Sequence, residues 1–126
     1  MITTLKGAIT SPGYPKKYPT NADCYWTVHR PYDKIKLTFL DFKLVSSPKD
    51  YVEVKEGPFE SSKILLAKKY GRTRPQLDED FADRWLWVHF YSDVAYTDVG
   101  FQAVHDLYMK RVPVKQNTDG KIMYLS

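Results

Sequence analysis

Apolar residues recur at every second position along several short stretches of the chain, and the longest of these stretches runs from residue 85 to 91. Its positions Leu86, Val88 and Phe90 have the period of side chains on one face of a β-strand. The polar pair Ser92-Asp93 follows at once and interrupts the alternation. The pattern therefore predicts a strand with one buried face that ends at Ser92 and leads into a loop.

The same two-residue period appears elsewhere, for example at Ile35, Leu37 and Phe39. The stretches that show it are residues 25–29, 34–39, 51–55 and 101–105, and residues 64–66 form a short apolar run. Proline, glycine and serine residues, which favour turns, separate them. No apolar pattern is long enough for a helix of more than a turn or two. Short strands joined by turns indicate an all-β fold, an antiparallel β-sandwich.

Three segments fall outside this pattern. Closely spaced prolines between residues 11 and 19 predict an extended, turn-rich segment. The acidic residues from 78 to 83 predict a loop or the first turn of a short helix. Beyond residue 108 the chain is polar and irregular except at residues 122–125. We therefore expect one domain over residues 1–108 and a C-terminal extension or linker over residues 109–126.

The composition fits a folded domain without a membrane segment. The chain has 126 residues, enough for a hydrophobic core, and its 43% hydrophobic and 15% aromatic residues are too many for disorder. No stretch approaches the ~18 consecutive apolar residues that a membrane span requires. Residues 1–15 also lack the apolar core of a signal peptide.

The net charge of +4 permits acidic partners without identifying one. The basic residues are scattered, and no predicted helix concentrates them, which disfavours a nucleic-acid partner. Two alternatives remain open: a solvated surface that keeps the domain soluble, or a site for a polyanion such as a glycosaminoglycan. The candidate polyanion-binding residues are Lys16, Lys17, Lys68, Lys69, Arg72 and Arg74.

The sequence offers no catalytic constellation. His29, His89 and His105 each fall on a predicted strand, without the spacing of a metal site. Cys24 and Ser92 have no general base at a defined position. We therefore expect a domain without catalytic or metal-binding residues.

Nine short motifs follow one another in an order that resembles the CUB domain family. They extend over about residues 7 to 108, and although each is weak alone, together they form a specific signal. The resemblance implies an extracellular, jelly-roll-like β-sandwich that mediates protein contacts. The motifs are Gly7-x-Ile9-x-Ser11-Pro12-x-Tyr14-Pro15, Tyr18-Pro19, Cys24-x-Trp26-x-Val28, Ile35-x-Leu37-x-Phe39-x-x-Phe42-x-Leu44, Asp50-Tyr51-Val52-Glu53-Val54, Tyr70-Gly71, Leu86-x-Val88-x-Phe90, Ser92-Asp93 and Gly100-Phe101-x-Ala103.

The chain departs from the resemblance in its cysteines. CUB domains usually carry two disulfides, and the only cysteine here, Cys24, matches one half of the first. We expect Cys24 to be a quiet core thiol, or to pair with a cysteine upstream of residue 1 or in another chain. Both halves of the second bridge are absent, and Tyr70 stands at one of its positions. We expect Tyr70 to fill the space and aromatic packing to offset part of the missing bridge.

A second departure concerns calcium, which the resemblance places at one end of the sandwich. Tyr18, Asp50 and Asp93 match the family's ligand set, but Lys43 stands at the usual glutamate and Ala95 at the usual serine. We predict that no metal binds and that the Lys43 ammonium replaces calcium through an ion pair with Asp50, Asp93 or both. Alternatively, Lys43 points into solvent and the aspartates only cap turns. If calcium binds after all, Asp50 and Asp93 are its ligands.

The function that follows is a non-catalytic, extracellular protein-interaction module of a larger secreted protein or receptor ectodomain, for example in adhesion. One alternative is a polyanion-binding domain that uses the basic residues, and another is a module that positions substrate for an extracellular protease in the same protein. Exposed tyrosines suit a protein interface. The residues we expect to bind the partner are Tyr18, Lys43, Asp50, Tyr51, Asp93 and Tyr96.

Overall fold

The computed structural model describes residues 6–59, 61–77, 82–108, 112–116 and 122–125, and every regular element among them is a β-strand. The described residues contain no helix with the length and apolar character of a membrane span. The strands are β1 (Lys6–Thr10), β2 (Asp23–Lys43), β3 (Tyr51–Glu56), β4 (Lys63–Lys69), β5 (Ala82–Tyr91), β6 (Gly100–Tyr108), β7 (Val112–Gln116) and β8 (Ile122–Leu125).

The long strand β2 organises the sheet. Its first half pairs antiparallel with β5, from Asp23 opposite Tyr91 to His29 opposite Trp85. Its second half pairs antiparallel with β6, up to Lys43 opposite Gly100. The hydrogen-bonded order is therefore β1-β6-β2-β5-β3-β4, and β7 and β8 form a separate two-stranded sheet.

The two halves of this sheet face each other across one core. The ring of Phe101 on β6 lies 5.5 Å from that of Phe90 on β5 and 5.9 Å from that of Trp26 on β2. Because β5 and β6 do not pair with each other, their side chains meet across the core as in a β-sandwich. The predicted all-β sandwich is therefore confirmed.

Several predicted boundaries differ from the structure. The stretches around residues 25–29 and 34–39 belong to one strand, which shifts register between His29 and Lys34 around Pro31. β1 lies in a region for which no strand was predicted, and the region expected to be an extension or linker contains β7 and β8. Residues 78–81 of the predicted acidic loop lie outside the described residues, whereas Ala82 and Asp83 belong to β5.

The two departures in the disulfide pattern have different outcomes in the structure. The Tyr70 side chain is 43% exposed, so it does not fill the space of a buried bridge. It follows β4 at a surface turn, where the backbone of Gly71 bonds to that of Leu44 and Val45. Cys24 is a free, half-buried thiol packed against the core, and burial raises its pKa. A raised thiol pKa lowers the thiolate fraction and makes a quiet cysteine.

The outer face of β2, β5 and β3 carries a buried polar cluster around His89. The ring nitrogens lie 3.0 Å from a Glu53 carboxylate oxygen and 2.6 Å from an Asp23 oxygen, so the cluster joins three adjacent strands. Tyr25 stacks on the imidazole with ring centroids 4.2 Å apart. His89 and Glu53 are both buried, although they face away from the core. Their contacts therefore link β2, β5 and β3 on the face of the sheet opposite the core.

Replacing His89 with alanine should lower the free energy of unfolding by about 3 kcal/mol, because the buried carboxylate of Glu53 loses its partner. Chemical denaturation measures this loss. His29→Ala is the matched control: His29 lies on the same face, is exposed and stacks on Trp85 with centroids 3.8 Å apart. The control substitution should lower the free energy of unfolding by about 1 kcal/mol or less. Equal losses in the two variants would contradict the structural role of His89.

Candidate functional site

Three loops meet at one end of the sandwich around the side chain of Tyr18. The hydroxyl donates to Asp50 Oδ2 at 2.8 Å and accepts from the Val45 backbone N–H at 3.2 Å. The Tyr18 backbone N–H donates to the carbonyl of Asp98 at 3.0 Å. Burial and the neighbouring Asp50 carboxylate raise the pKa of Tyr18, so its hydroxyl keeps its proton. A single residue therefore joins the loop before β2 to the loops that follow β2 and β5: its side chain bonds to the first of these two loops and its backbone to the second.

Asp50 and Asp93 bring two carboxyl groups together beneath this end. Asp50 is fully buried, and its Oδ1 accepts the backbone N–H of Asp93 at 2.8 Å. Besides burial, the charge of the Asp93 carboxylate also acts on this carboxyl and raises its pKa. Asp93 Oδ1 accepts the backbone N–H of Ala95 at 3.2 Å and so forms a turn. The chain's own donors therefore occupy both oxygens of Asp50 and one of Asp93.

Buried serines fix the loops from below. Ser92 Oγ donates to the Pro19 carbonyl at 2.7 Å and accepts the Ala22 N–H at 2.8 Å. Ser11 Oγ accepts the N–H of Phe101 at 3.0 Å. Gly100 leaves room for this contact, because a Cβ there would meet Ser11 Oγ and its φ is +102°. Sequence analysis identified Ser92 as the end of a strand but could not show these tertiary partners.

An ion pair joins two of the loops at the end of the sandwich where the loops before β2, after β2 and after β5 meet. We call this end the loop end. The guanidinium of Arg72 forms two hydrogen bonds with the Asp98 carboxylate, at 3.0 and 3.2 Å. Burial of Asp98 acts against its charge, but Arg72 and the Val99 N–H outweigh burial and lower the pKa of Asp98. The β4–β5 loop is thereby tied to the β5–β6 loop. Two-point pairing of this kind fixes orientation as well as distance.

The exposed part of the loop end is apolar and aromatic. A cavity of about 420 Å³ opens between the β2–β3 loop and the β5–β6 loop. On the β5–β6 loop, Tyr96 is 85% exposed and Val94 is 77% exposed. Tyr96 adopts φ +50°, a left-handed conformation that a bulky residue rarely takes. Strained residues of this kind cluster at binding sites. The cavity is lined by Val45, Ser46, Ser47, Asp93, Ala95, Tyr96 and Thr97.

The structure separates the residues predicted to bind a partner. Tyr18 and Asp50 are buried, so they shape the site from below and cannot touch a partner directly. Tyr51 lies on the outer face of β3, where Lys68 Nζ sits 4.7 Å from its ring centroid. Asp93 and Tyr96 line the cavity together. Val94, which is exposed on the same loop as Tyr96, was not among the residues predicted to bind a partner. Nothing in the sequence shows which apolar loop residue stays outside the core.

The predicted ion pair of Lys43 does not form in this structure. Lys43 is exposed at the end of β2, and no ion pair joins it to Asp50 or Asp93 in the part of the chain described. Because Tyr18 and a backbone N–H already bond to Asp50, an ammonium ion would lose its hydration there with little to gain. The alternative expectation, an exposed lysine beside turn-forming aspartates, describes Lys43 better.

The basic residues predicted to bind a polyanion are not all free cations. Lys16 and Lys17 lie in the loop after β1, Lys68 and Lys69 on β4, and Arg72 and Arg74 in the following loop. Arg72 is paired with Asp98, and Lys68 covers a tyrosine ring. Only part of the predicted polyanion-binding set is therefore available to an anionic partner.

The side chains at this end do not fit a calcium ion. Calcium binds six to eight oxygens and favours several converging carboxylates. Within the described ranges no group of three or more His, Cys, Asp or Glu side chains could hold a metal. Asp50 and Asp93 provide two carboxylates, whereas positions 43 and 95 carry an ammonium and a methyl group. This donor set has too few oxygens.

We expect Asp50 to make the domain's stability depend on pH. Burial, and also the charge of Asp93, raise the pKa of Asp50, although the Asp93 N–H and the Tyr18 hydroxyl act against them. Between the ordinary pKa of about 4 and the raised pKa, the native state therefore binds a proton that the unfolded chain has released. The contribution of Asp50 to the free energy of unfolding falls as pH rises through this window.

Thermal unfolding of the wild type and Asp50→Asn from about pH 4 to about pH 7 tests this effect. The wild type should gain stability relative to the variant as the pH falls, because the amide in the variant has no carboxylate to protonate. Asp106→Asn, at an exposed position on β6, should follow the wild-type profile. Parallel profiles for the wild type and Asp50→Asn would contradict a raised pKa.

Comparison with known proteins identifies the family to which this chain belongs. A CUB domain model matches residues 1–105. Cubilin from Rattus norvegicus is 38% identical over 104 residues, which are 79% of this chain and 3% of cubilin. The chain therefore spans a small part of this curated relative.

Solved structures agree with the sequence match. The CUB1-EGF-CUB2 domain of human MASP-1/3 has a TM-score of 0.72 and 30% identity, over 83% of this chain and 42% of that chain. A crystal structure of the MASP-1 CUB2 domain bound to Ca²⁺ has a TM-score of 0.71 and 26% identity, over 82% and 94% of the two chains. CUB domains are generally non-catalytic modules. The matched residues and the shared fold show that this chain belongs to the CUB domain family, whose members here are extracellular protein-interaction modules.

Proposed function

We propose that the loop end binds a protein partner through the exposed residues Val94 and Tyr96. The observation that carries the proposal is the cavity of about 420 Å³ lined by Tyr96, which is 85% exposed. Val94, on the same loop, is 77% exposed. Tyrosine is enriched where proteins meet, because its large ring gives contact area and its hydroxyl finds a polar partner. An exposed apolar residue next to an exposed aromatic one favours an interface over a solvated loop.

The rigidity of the surrounding loops supports the same surface. Tyr18, Ser92 and the Arg72–Asp98 pair fix the walls of the cavity by hydrogen bonds. A loop that is already ordered loses less conformational entropy when a partner binds. The buried residues Tyr18 and Asp50 contribute through this ordering.

Asp93 supplies the polar part of the proposed interface. One of its oxygens accepts the Ala95 N–H, and the side chain lines the cavity. A partner that places a hydrogen-bond donor or a cationic side chain in the cavity would meet this carboxylate. The same surface would serve a receptor ectodomain, an adhesion protein or a module that holds substrate for a protease elsewhere in the protein.

Substitution of Tyr96 tests the proposal. The biotinylated chain is screened against purified extracellular ectodomains, and the Kd of each binder is measured by surface plasmon resonance. Tyr96→Ala should weaken binding about 30-fold, the effect of removing a tyrosine at the centre of an interface. Val94→Ser should weaken it less.

Tyr32→Ala is the matched control. Tyr32 is 95% exposed on β2, outside the cavity lining, so this variant removes an equally accessible ring from another place. Its Kd should equal that of the wild type. Binding that survives Tyr96→Ala but is lost in Tyr32→Ala would place the interface elsewhere and overturn the proposal.

A further inference from the structure

We infer that a cleft between β2 and the β4–β5 loop binds an extended acidic peptide of a protein partner as an added strand. The cleft has a volume of about 380 Å³ and shares no lining residue with the cavity beside Tyr96. This second surface is therefore independent of the proposed interface. The cleft is lined by Lys36, Leu37, Thr38 and Phe39 of β2 and by Arg74, Pro75, Gln76 and Leu77 of the loop.

The lining shows that the cleft runs along an edge of β2 and not over a face of the sheet. Successive side chains of a strand point to opposite faces, so a cavity on one face would touch only alternate residues. All of residues 36–39 line this cleft, including Leu37 and Phe39, whose side chains are buried in the core. Among the lining residues none belongs to β6, so the edge is the one opposite β6.

This edge of β2 is unpaired along the cleft in the described part of the chain. Ile35 is the last residue of β2 that pairs with β5, and residues 36–39 pair with β6 alone. Alternate residues of a strand direct their N–H and C=O groups to opposite edges, so alternate members of residues 36–39 present these groups to the cleft. An extended peptide can form main-chain hydrogen bonds with such an edge.

The charged side chains at the cleft favour an acidic ligand. Lys36 and Arg74 are both exposed, and neither forms a hydrogen bond or an ion pair with another described residue. No aspartate or glutamate is among the lining residues. An arginine binds a carboxylate through two parallel N–H donors, and the lysine adds a second positive charge. A peptide carboxylate would therefore find two unpaired cations beside the strand edge.

The loop side of the cleft is fixed to the rest of the domain. Pro75 is buried, and Leu77 packs against the core. The ion pair between Arg72 and Asp98 ties the same loop to the β5–β6 loop. A wall that is already ordered loses less conformational entropy when a ligand binds. The volume of the cleft lies within the range of ordinary ligand sites and accommodates a short extended segment.

Binding of a defined peptide tests the inference. The probe is an acetylated and amidated peptide of sequence Thr-Val-Thr-Glu-Thr-Val-Thr, and NMR spectra of the isotope-labelled chain locate its site. The backbone signals of residues 36–39 and of Arg74, Gln76 and Leu77 should shift on titration. A counterpart with glutamine in place of glutamate should bind about 10-fold more weakly, because it loses a charge-assisted hydrogen bond.

Substitutions of exposed residues test which cations hold the carboxylate. Arg74→Gln should weaken binding of the glutamate peptide about 10-fold, whereas Arg74→Lys should weaken it less because the charge remains. Lys36→Gln should also weaken binding. Lys49→Gln is the matched control, because Lys49 is exposed in the β2–β3 loop and outside the cleft lining, and its Kd should equal that of the wild type.

A peptide that is N-methylated along its backbone separates strand addition from simple charge attraction. It keeps the carboxylate but cannot donate main-chain hydrogen bonds, so it should lose most of its affinity. Equal affinity of the methylated and unmethylated peptides would overturn the added strand.

The acidic residues that follow the cleft in sequence provide a further check. Asp78, Glu79 and Asp80 lie outside the described residues. The triple variant Asp78→Asn/Glu79→Gln/Asp80→Asn should bind the glutamate peptide at least as tightly as the wild type, because it removes only negative charge. Loss of binding in this variant would overturn recognition by Lys36 and Arg74.

The position of the shifted signals distinguishes this surface from the proposed interface. Shifts confined to residues 94–97 would place the peptide at the loop end and overturn a second site, as would the absence of any binding. Equal binding of the glutamine peptide would overturn the acidic character of the ligand. A heparin oligosaccharide that shifts the same signals, and binds more tightly than the peptide, would overturn the choice of a peptide in favour of a polyanion.

Discussion

The fully buried carboxyl group of Asp50 is the constraint on which the loop end depends. A buried carboxylate without hydrogen bonds costs several kcal/mol, so the surrounding chain must supply donors. It does so from two directions, with the Tyr18 hydroxyl on one side and the Asp93 N–H on the other. The loops before β2 and after β5 can satisfy Asp50 only in one arrangement. Together with Ser92 and the Arg72–Asp98 pair, this polar group sets the positions of the loops and the shape of the cavity above them.

The continuous strand β2 explains why these loops meet at one end. Its first half pairs with β5 and its second half with β6, so β5 ends and β6 begins beside the same strand. The loop between β5 and β6 must therefore cross from one half of the sandwich to the other. Gly100 allows the turn into β6 with φ +102°, and Ser11 takes the space that a larger residue would need. The exposed residues 94–96 lie on this crossing.

Alternation along the chain was enough to predict the sandwich and most of its strands, because a two-residue period depends only on which face is buried. It could not show that β2 is continuous through Pro31, since proline and a register shift resemble a turn in sequence. The motifs also placed Tyr18, Asp50 and Asp93 at one end. They could not show the direction of the Lys43 side chain, because the distance from a strand position to a carboxylate depends on rotamers and on competing donors.

The same competition explains why an aromatic contact suits this CUB domain better than an electrostatic one. A partner's cation would have to compete with donors that already bond to three carboxylate oxygens. Tyr96 meets no such competition, since most of its ring is in water and its backbone is fixed beside the cavity. Burying that ring removes apolar surface from water without breaking an internal hydrogen bond. Binding energy at this end is therefore gained most readily from contact area around Tyr96.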